Sequence, residues 1–365
     1  MIIACYFLLI IYTVMIGWLI FGIGKVADFN GISQVPKTKF SIIVPFRNES
    51  DNLPKLLESF SNLDFPTDFF EVILVDDASD KKFIEDDFRF KVTITDNVRS
   101  SYSPKKDAIV TGITLAENEW IITTDADCCV TEQWLKSLDN YIQQKKPQMI
   151  AGAVRYSGND SFLHYFQQIE LASLQGITMG SFGNGYPFMC NGANFAYTKS
   201  FFQELDGFIG NKSLASGDDV FLLQKAVAFA PEKVCYLKSD FNTVTTNLEN
   251  SWKTLFYQRV RWASKSGSYY GYFGPLLGLI VVMGNSAWIV LFIAMLTGGC
   301  TIGNFLIAII LKNGVDLVLA FKNTSFVNQR RFLLAASFLY PFFSVFVAVY
   351  SLFGKYKWKG RTFGK

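Results

Sequence analysis

Residues 71–80 read EVILVDDASD, an apolar and largely β-branched run that ends in acidic side chains. Such a run predicts a short strand buried on both faces, which is typical of a parallel sheet. Similar runs stand at 40–46 (FSIIVPF), 91–96 (KVTITD) and 120–127 (WIITTDAD). The segments 47–63 and 105–118 space their apolar residues as helices do. Strands that alternate with helices predict an α/β domain with a mostly parallel sheet and helices on both faces.

Two of these runs end in clusters of acids, with Asp76 and Asp77 after the second and Asp125 and Asp127 after the fourth. Because ligands bind beyond the carboxyl ends of strands in such sheets, we expect both clusters at one edge. Carboxylates gathered there would repel one another unless a cation lay among them. Mg²⁺ takes one or two carboxylates together with substrate phosphates and waters. Alternation along the strand end places Asp125 and Asp127 on one face, which predicts a divalent-cation site.

The composition separates a polar middle from apolar ends. Of the 365 residues, 50% are hydrophobic and only 18% are charged, against about 25% charged in an ordinary soluble domain. These values exclude a disordered chain or a disulfide scaffold. A net charge of +3 is too small to indicate nucleic-acid binding. The six cysteines lack metal-site spacing, so a reduced cytosolic domain is expected.

Residues 1–24 carry no charged side chain and are long enough to span a bilayer, so we interpret them as a retained anchor. Further apolar blocks cover 273–297, 300–320 and 332–353. The tail 355–365 is basic and should stay cytoplasmic. A cytoplasmic domain followed by three spans would put that tail on the far side. One block is therefore expected not to span.

Two blocks are candidates for this exception. The third contains Lys312 and Asp316, and charges inside a membrane are costly. The fourth has Pro341 at its middle and is alternatively re-entrant. For Lys312 and Asp316, a structural pair one helical turn apart is favoured over a role in substrate contact.

Five motifs follow one another along the middle of the chain. They are FSIIVPFRNE (40–49), VDDASD (75–80), TDAD (124–127), GANFAY with SGDDVFLLQK (192–197 and 216–225), and Q-x-x-R-W (258–262). Lys105 and Ala108 add a K-x-x-A helix start. With these motifs the chain resembles the membrane-bound family-2 glycosyltransferases with a GT-A domain. That group includes cellulose, hyaluronan and poly-N-acetylglucosamine synthases and ceramide glucosyltransferase-like enzymes.

The resemblance implies an inverting transfer from a nucleotide-diphosphate sugar, most commonly a uridine one. Asp77, with Asp76 beside it, would recognise the nucleobase, although an aspartate there also fits a cap for the following turn. Asp125 would contact the ribose or sugar. Asp127, helped by Asp125, would ligate Mg²⁺ or Mn²⁺ at the donor diphosphate. Lys105 would add positive charge near the donor, and a solvated surface lysine fits equally well.

Asp219 matches the position of the family's general base, which takes the proton from the acceptor hydroxyl. The neighbouring charge of Asp218 would make proton uptake by the pair easier. The family more often has Glu before this Asp, so the shorter Asp218 leaves its role open. A helix N-cap is the alternative for the pair, because VFLLQKAVAF follows it.

The segment 246–271 has aromatic and basic residues at helical spacing, which predicts an interfacial helix on lipid headgroups. By resemblance, Arg261 would contact the donor diphosphate with help from Gln258, and Trp262 would offer a flat face to the acceptor. Residues 162–190 match no motif. Their glycines and aromatics suggest a border of the acceptor path near the membrane.

The predicted organisation is an anchor (1–24), a GT-A domain (37–245), the interfacial helix (246–271), membrane helices (272–354) and a basic tail (355–365). We expect an integral protein of the inner or plasma membrane with a cytoplasmic catalytic domain. Its partners would be a nucleotide sugar, a lipid or glycan acceptor and the bilayer, with homo-oligomerisation left open. Rival interpretations are a processive polysaccharide synthase, a receiver-type signalling domain and an inactive scaffold. The second acid pair and the Q-x-x-R-W segment argue against a receiver domain. An inactive scaffold is disfavoured because every position expected to carry charge does so.

Overall fold

The computed structural model describes residues 1–83, 87–158, 161–211, 217–265, 270–322, 332–354, 356–358 and 361–363, with side chains up to residue 354. Residues 355, 359, 360, 364 and 365 of the predicted basic tail, together with Ser216 and residues 266–269, lie outside this description. The chain divides into two units. The sheet unit comprises Ala27–Ser157 and Pro187–Asn247, and the helical unit comprises Met1–Val26, Gly158–Tyr186 and Leu248–Lys365.

The strands in chain order are β1 (Phe40–Phe46), β2 (Phe70–Asp76), β3 (Lys91–Asp96), β4 (Trp120–Thr123), β5 (Cys128–Cys129), β6 (Met149–Gly152), β7 (Val154–Tyr156), β8 (Phe195–Thr198), β9 (Val234–Leu237), β10 (Val244–Thr246), β11 (Tyr356–Trp358) and β12 (Arg361–Phe363). The helices are α1 (Ile2–Ile23), α2 (Leu53–Ser61), α3 (Pro104–Leu115), α4 (Trp134–Lys145), α5 (Phe162–Gly183), α6 (Lys199–Glu204), α7 (Asp218–Phe229), α8 (Trp252–Ala263), α9 (Phe273–Leu296), α10 (Ile302–Lys322) and α11 (Leu333–Phe353). β1 and β3 begin and end where the sequence predicts.

The main sheet has the strand order β3-β2-β1-β4-β8-β6-β9. β3, β2, β1 and β4 are parallel neighbours, and β6 pairs with β9 in the same way. Only β8 is antiparallel to both of its neighbours among these seven described strands. The predicted α/β fold with a mostly parallel sheet is confirmed.

Helices cover both faces of this sheet. On one face, Ile42 and Val44 of β1 share a core cluster with residues of α2 and α4. The rings of Phe60 and Trp134 stack there with centroids 6.1 Å apart. On the other face, α3 lies so close that a Cβ on Gly112 would stand 2.6 Å from Ile43. Neighbouring residues of a strand point to opposite faces, which explains why β1 is apolar on both.

A second, three-stranded sheet has the order β5-β10-β7. β5 follows directly after the TDAD motif and is antiparallel to β10, which is parallel to β7. Thr246 of β10 pairs with Cys128, and Thr245 pairs with Cys129. This pairing fixes the chain immediately after Asp127.

The helical unit contains α1, α5 and α8 to α11. α1 and α5 approach backbone to backbone, because a Cβ on Gly183 would stand 1.9 Å from the carbonyl oxygen of Gly22. A Cβ on Gly180 would stand 2.2 Å from the carbonyl oxygen of Leu19. Small residues that permit such close contact are typical of helix packing in membranes.

Four described helices, α1, α9, α10 and α11, are long and apolar enough to cross a membrane. They coincide with the four apolar blocks of the sequence. α11 continues as one helix through Pro341. α5, which sequence interpretation counted with the GT-A domain, belongs to the helical unit. The predicted domain limits and the number of true spans stay predictions.

Candidate functional site

The carboxyl ends of β1, β2 and β4 form one edge of the main sheet. Phe46, the last residue of β1, is in register with Asp76 at the end of β2. The backbone amide of Asp77 donates a hydrogen bond to the carbonyl oxygen of Phe46 at 2.8 Å. The backbone amide of Thr124 donates one to the carbonyl oxygen of Ile43 at 3.2 Å. The residues that follow β2 and β4 therefore leave the sheet at the same edge, as the sequence predicts.

The antiparallel β8 brings a further segment to this edge. Because β8 runs the opposite way, the turn of Gly192–Asn194 before it lies beside the end of β4. The Thr123 hydroxyl donates to the carbonyl of Gly192 at 2.9 Å. The amide of Gly192 donates to Oδ2 of Asp219 at 2.9 Å. The start of α7 is thus held at the edge where the other acids lie.

Lys105 joins the two acidic motifs. Its Nζ lies 2.7 Å from Oδ1 of Asp125 and 3.3 Å from Oδ2 of Asp218. Burial opposes the charge of Lys105, but the carboxylates of Asp125 and Asp218 outweigh it and raise the lysine pKa above its usual value. Lys105 is therefore a permanent cation between carboxylates. The interpretation of it as a solvated surface lysine is wrong.

Asp125 and Asp127 lie in a turn, because β4 ends at Thr123 and the amide of Cys128 donates to the carbonyl of Asp125 at 3.1 Å. The expectation that strand alternation sets their direction is therefore wrong. Both carboxylates are partly exposed. Burial and the charges of Asp127 and Asp125 raise the pKa of the Cys128 thiol.

The carboxylate oxygens of this turn are ligands that suit a hard divalent cation. Among the described residues, no group of three or more His, Cys, Asp or Glu side chains is placed to hold a metal by itself. Mg²⁺ and Mn²⁺ do not need such a group when substrate phosphates and waters complete the shell. Asp127 fits the role of ligand. Asp125 fits it through Oδ2, since Lys105 lies at Oδ1.

Asp76 and Asp77 are both buried and are held within the protein. Oδ1 of Asp76 accepts the amide of Ser79 at 2.8 Å, and its Oδ2 lies 3.2 Å from Nζ of Lys82. Asp76 thus closes the turn after β2, a role that the sequence suggested for Asp77. Oδ1 of Asp77 accepts from Asn97 at 2.8 Å and from Arg99 at 3.2 Å. These two donors fix the direction of its carboxylate.

Asp218 and Asp219 occupy the first turn of α7. The N-cap position belongs to Gly217, whose φ of 90° is left-handed and favours glycine. The alternative that the pair serves as the N-cap is therefore not what the structure shows. Oδ1 of Asp219 accepts the amide of Val220 at 2.7 Å, and Oδ2 accepts that of Gly192. The helix dipole adds positive potential at these carboxylates.

Gln258, Arg261 and Trp262 lie in α8 of the helical unit, and their roles toward donor and acceptor stay predictions. Gln258 donates to Oε1 of Glu249 at 2.9 Å and accepts a hydrogen bond from Arg259. Arg261 lies in the last turn of α8 and is partly buried. The ring of Trp262 has the guanidinium of Arg259 over it, 4.3 Å from its centre.

Arg259 and Glu170 form a buried ion pair that sequence reasoning missed. Nε and Nη2 of Arg259 both lie 2.9 Å from Oε2 of Glu170 in α5. The sequence contains a feature that points to this pair, because Glu170 is the one acidic residue between Phe162 and Gly183. Sequence reasoning also missed Thr123 and Gly192, which join β4 to the start of α7. Neither residue type is distinctive enough to be singled out without the pairing of β4 with β8.

Comparisons with known proteins support the fold. Residues 41–206 match the model of Glycosyl transferase family 2. The mannosyltransferase PcManGT from Pyrobaculum calidifontis, solved with GDP-Man and Mn²⁺, has a TM-score of 0.57 at 16% identity over 96% of each chain. That likeness shows a shared fold.

Curated relatives match shorter segments. Poly(ribitol-phosphate) beta-N-acetylglucosaminyltransferase TarS of Staphylococcus aureus is 31% identical over 110 residues, which are 29% of this chain and 19% of TarS. Glycosyltransferase AglE of Haloferax volcanii is 25% identical over 124 residues, which are 32% of this chain and 40% of AglE. The chain thus spans less than half of either relative. The chain is thus similar to glycosyl transferase family 2 through residues 41–206.

Proposed function

We propose that this protein transfers a sugar from a nucleotide-diphosphate sugar, with a uridine donor favoured, to a hydroxyl of a membrane lipid or lipid-linked acceptor. The transfer inverts the anomeric centre. The chain would be an integral membrane protein whose sheet unit faces the cytoplasm. The observation that carries the proposal is the Lys105 bridge, which ties the acidic turn after β4 to the acid pair of α7.

Asp219 is the general base of this proposal. Two backbone amides, from Gly192 and Val220, hold its carboxylate in one orientation. Each oxygen keeps a lone pair that can accept the proton of an acceptor hydroxyl. The hydroxyl oxygen forms a bond to the anomeric carbon as the bond from that carbon to the diphosphate breaks. The proton goes to Asp219, and the nucleoside diphosphate leaves.

The donor side follows from the remaining acids. Asp77, oriented by Asn97 and Arg99, is assigned to the nucleobase, and Asp125 to the ribose or sugar. Asp127, with Asp125, would hold Mg²⁺ or Mn²⁺, which when bound stabilises the charge of the leaving diphosphate as a Lewis acid. The solved complex of PcManGT with GDP-Man and Mn²⁺ supports a divalent ion. The positive charge of Lys105 offsets the repulsion between the carboxylates of Asp125 and Asp218. It also offsets their repulsion of the donor diphosphate.

A donor screen tests the proposal. The full chain in detergent is incubated with a panel of nucleotide-diphosphate sugars, and release of nucleoside diphosphate is followed with Mn²⁺ or with EDTA. We expect one donor to be hydrolysed slowly with Mn²⁺ and not with EDTA. Absence of metal-dependent hydrolysis across the whole panel would contradict the proposal.

Variants assign the roles. Asp219→Asn is expected to lower transfer by about 10²–10⁴-fold, the usual contribution of a general base. Asp240→Asn, the same change at an exposed site of the sheet unit, is the matched control and should stay at wild-type activity. Arg261→Ala should abolish transfer and leave the protein folded. An Asp219→Asn enzyme as active as its control would remove the base assignment.

Product length separates the proposal from a processive polysaccharide synthase. A transferase with a lipid acceptor adds a fixed number of sugars, whereas a synthase gives a ladder of products on a gel. Among the described residues, three helices that are long and apolar enough to cross a membrane follow the sheet unit. A lipid acceptor is favoured because a polymer channel needs a wall of helices.

A further inference from the structure

A partly open cavity lies within the helical unit, and its empty space of about 600 Å³ includes solvent at the opening. Residues of α1, α5, α9, α10 and α11 line it. Most of the lining is apolar, with Ile16 from α1, Phe166 from α5 and Leu319 from α10 among its walls. Four of the five helices are long and apolar enough to cross a membrane. The surroundings of this cavity suit a ligand with hydrocarbon chains.

Two carboxylates, those of Glu170 and Asp316, interrupt the apolar lining. Each belongs to an ion pair within the helical unit. Glu170 pairs with Arg259, and Asp316 lies 2.9 Å from Nζ of Lys312. Neither cation lines the cavity, and the side chains of Arg259 and Lys312 are only 4% and 0% exposed. The carboxylates therefore line the cavity, whereas their cations do not.

Both acids retain capacity to accept hydrogen bonds. The two contacts of Arg259 go to Oε2 of Glu170, and none of the described residues donates to Oε1. Oδ1 of Asp316 accepts from the Tyr12 hydroxyl at 2.6 Å, and Oδ2 faces Lys312. A carboxylate oxygen can accept more than one hydrogen bond. A ligand that donates hydrogen bonds would therefore find acceptors in this mostly apolar cavity.

Charge decides which head group fits. Each carboxylate already has its cation, so the lining has no free positive charge to offer. A lipid phosphate would bring its negative charge against Glu170 and Asp316, and like charges brought together in an interface are costly. A hydroxyl donates a hydrogen bond and carries no charge. Charged residues so deep among apolar helices are expensive to keep and typically mark a binding site.

We propose that this cavity binds a membrane lipid whose head group is uncharged and carries a hydroxyl, with its chains against the apolar walls. The inference rests on the proposed function, because the bound lipid is its acceptor. It names the acceptor class as a neutral lipid alcohol and excludes a lipid phosphate.

The test measures binding without any nucleotide sugar. The full chain in detergent is titrated with dioleoylglycerol and with dioleoyl phosphatidate, which share both chains and differ by the phosphate. Native mass spectrometry reports the lipid bound. We expect dioleoylglycerol to bind roughly tenfold or more tighter than phosphatidate. Equal or tighter binding of phosphatidate would overturn the proposal.

Variants locate the site. Ser173, a small residue of the lining, offers a substitution that fills the space, and Ser173→Leu should weaken dioleoylglycerol binding roughly tenfold or more. Gly278→Leu adds a leucine at an exposed position of α9 with open space around it and should change nothing. Unchanged binding by Ser173→Leu would overturn the proposal even if other variants fail to fold.

Asp316→Asn removes one of the two negative charges that line the cavity. It frees the charge of Lys312 and should shift the preference toward phosphatidate. An unchanged preference in a folded Asp316→Asn protein would contradict the charge argument. The two proposals fail separately in this design. Transfer to a lipid alcohol without binding in the cavity refutes only this inference, and binding without sugar transfer or donor hydrolysis refutes only the proposed function.

Discussion

Lys105→Met removes the cation that joins Asp125 to Asp218 and keeps a side chain of similar length. Without the ammonium, the buried Asp218 faces Asp125 with no positive charge between them. Breaking a buried ion pair by removing one partner costs about 3–5 kcal/mol, and breaking an exposed one costs about 0–1 kcal/mol. Asp218 is only 7% exposed and Asp125 is 38% exposed. We therefore expect the free energy of unfolding of the sheet unit to fall by about 2–4 kcal/mol.

The pH dependence of this loss has a definite sign. The pKa of Lys105 is raised in the folded protein, because Asp125 and Asp218 outweigh the effect of burial. Its contribution to stability is therefore fully present below the ordinary lysine pKa of about 10.4 and is lost only as the pH rises through the higher folded value. The difference between wild type and Lys105→Met should be constant from about pH 6 to pH 9.

Cysteine protection provides the assay. All three cysteines used here are buried in the folded protein. Cys128 lies in the sheet unit, and Cys5 and Cys300 lie in the helical unit. Alkylation of the full chain in detergent at increasing urea, read peptide by peptide by mass spectrometry, reports the two units separately. Lys105→Met should shift the labelling of Cys128 to lower urea and leave that of Cys5 and Cys300 in place.

Lys136→Met is the matched control, because Lys136 lies 2.7 Å from Asp64, the same distance as Lys105 from Asp125, but Asp64 is 55% exposed. It should cost about 0–1 kcal/mol. If both variants shift Cys128 labelling equally, or if the Lys105→Met effect changes between pH 6 and pH 9, the electrostatic reasoning is wrong.

Two further predictions concern packing and pH. Gly183→Ala puts a Cβ 1.9 Å from the carbonyl oxygen of Gly22 and should lower the helical unit's unfolding free energy by about 1–3 kcal/mol, measured by Cys5 labelling. Gly17→Ala in α1, with nothing within 4 Å, should instead stabilise slightly, and a loss there would refute the close-contact argument. Burial acts to raise the pKa of Asp107, but hydrogen bonds from Ser101 and Ser100 outweigh it and lower that pKa. Asp107→Asn should therefore destabilise the sheet unit at neutral pH by about 1–3 kcal/mol. The stability difference between wild type and Asp107→Asn should shrink below about pH 4, where the unfolded chain binds the proton first. A stability difference that grows on acidification would contradict this reasoning.

The sheet was predictable because its central strands are buried on both faces. β1 needs apolar residues at successive positions, and that pattern alone gave its bounds. Position along a parallel sheet then placed Asp77 and Asp125 at one edge without knowledge of any contact. The turn that ends β4 was not predictable in this way, since Thr124 and Asp125 suit a strand end as well as a turn.

Contacts between distant segments were beyond sequence reasoning. The Lys105 bridge joins residues 20 and 113 positions apart, and no local pattern marks such a pairing. The same holds for Arg259 and Glu170, 89 positions apart. Lys312 and Asp316 are different, since a spacing of four on a helix favours an ion pair. The ion pair itself is observed, with Nζ of Lys312 2.9 Å from Oδ2 of Asp316.

The position of α11 bears on the side to which the basic tail emerges. α8 has only 12 residues, about 18 Å of helix, and cannot cross a bilayer core of about 30 Å. α11 runs beside it, since Trp252 contacts Phe343 at 6.2 Å and Phe256 contacts Phe346 at 5.0 Å between ring centres. The buried ion pair of Lys312 removes the main objection to a spanning α10, so α11 becomes the better candidate for the block that does not cross. We therefore expect the tail on the same side as α8. A C-terminal tag should be digested in inside-out vesicles, with an N-terminal tag protected there as the control. Digestion of the C-terminal tag only in right-side-out vesicles would show that α11 spans.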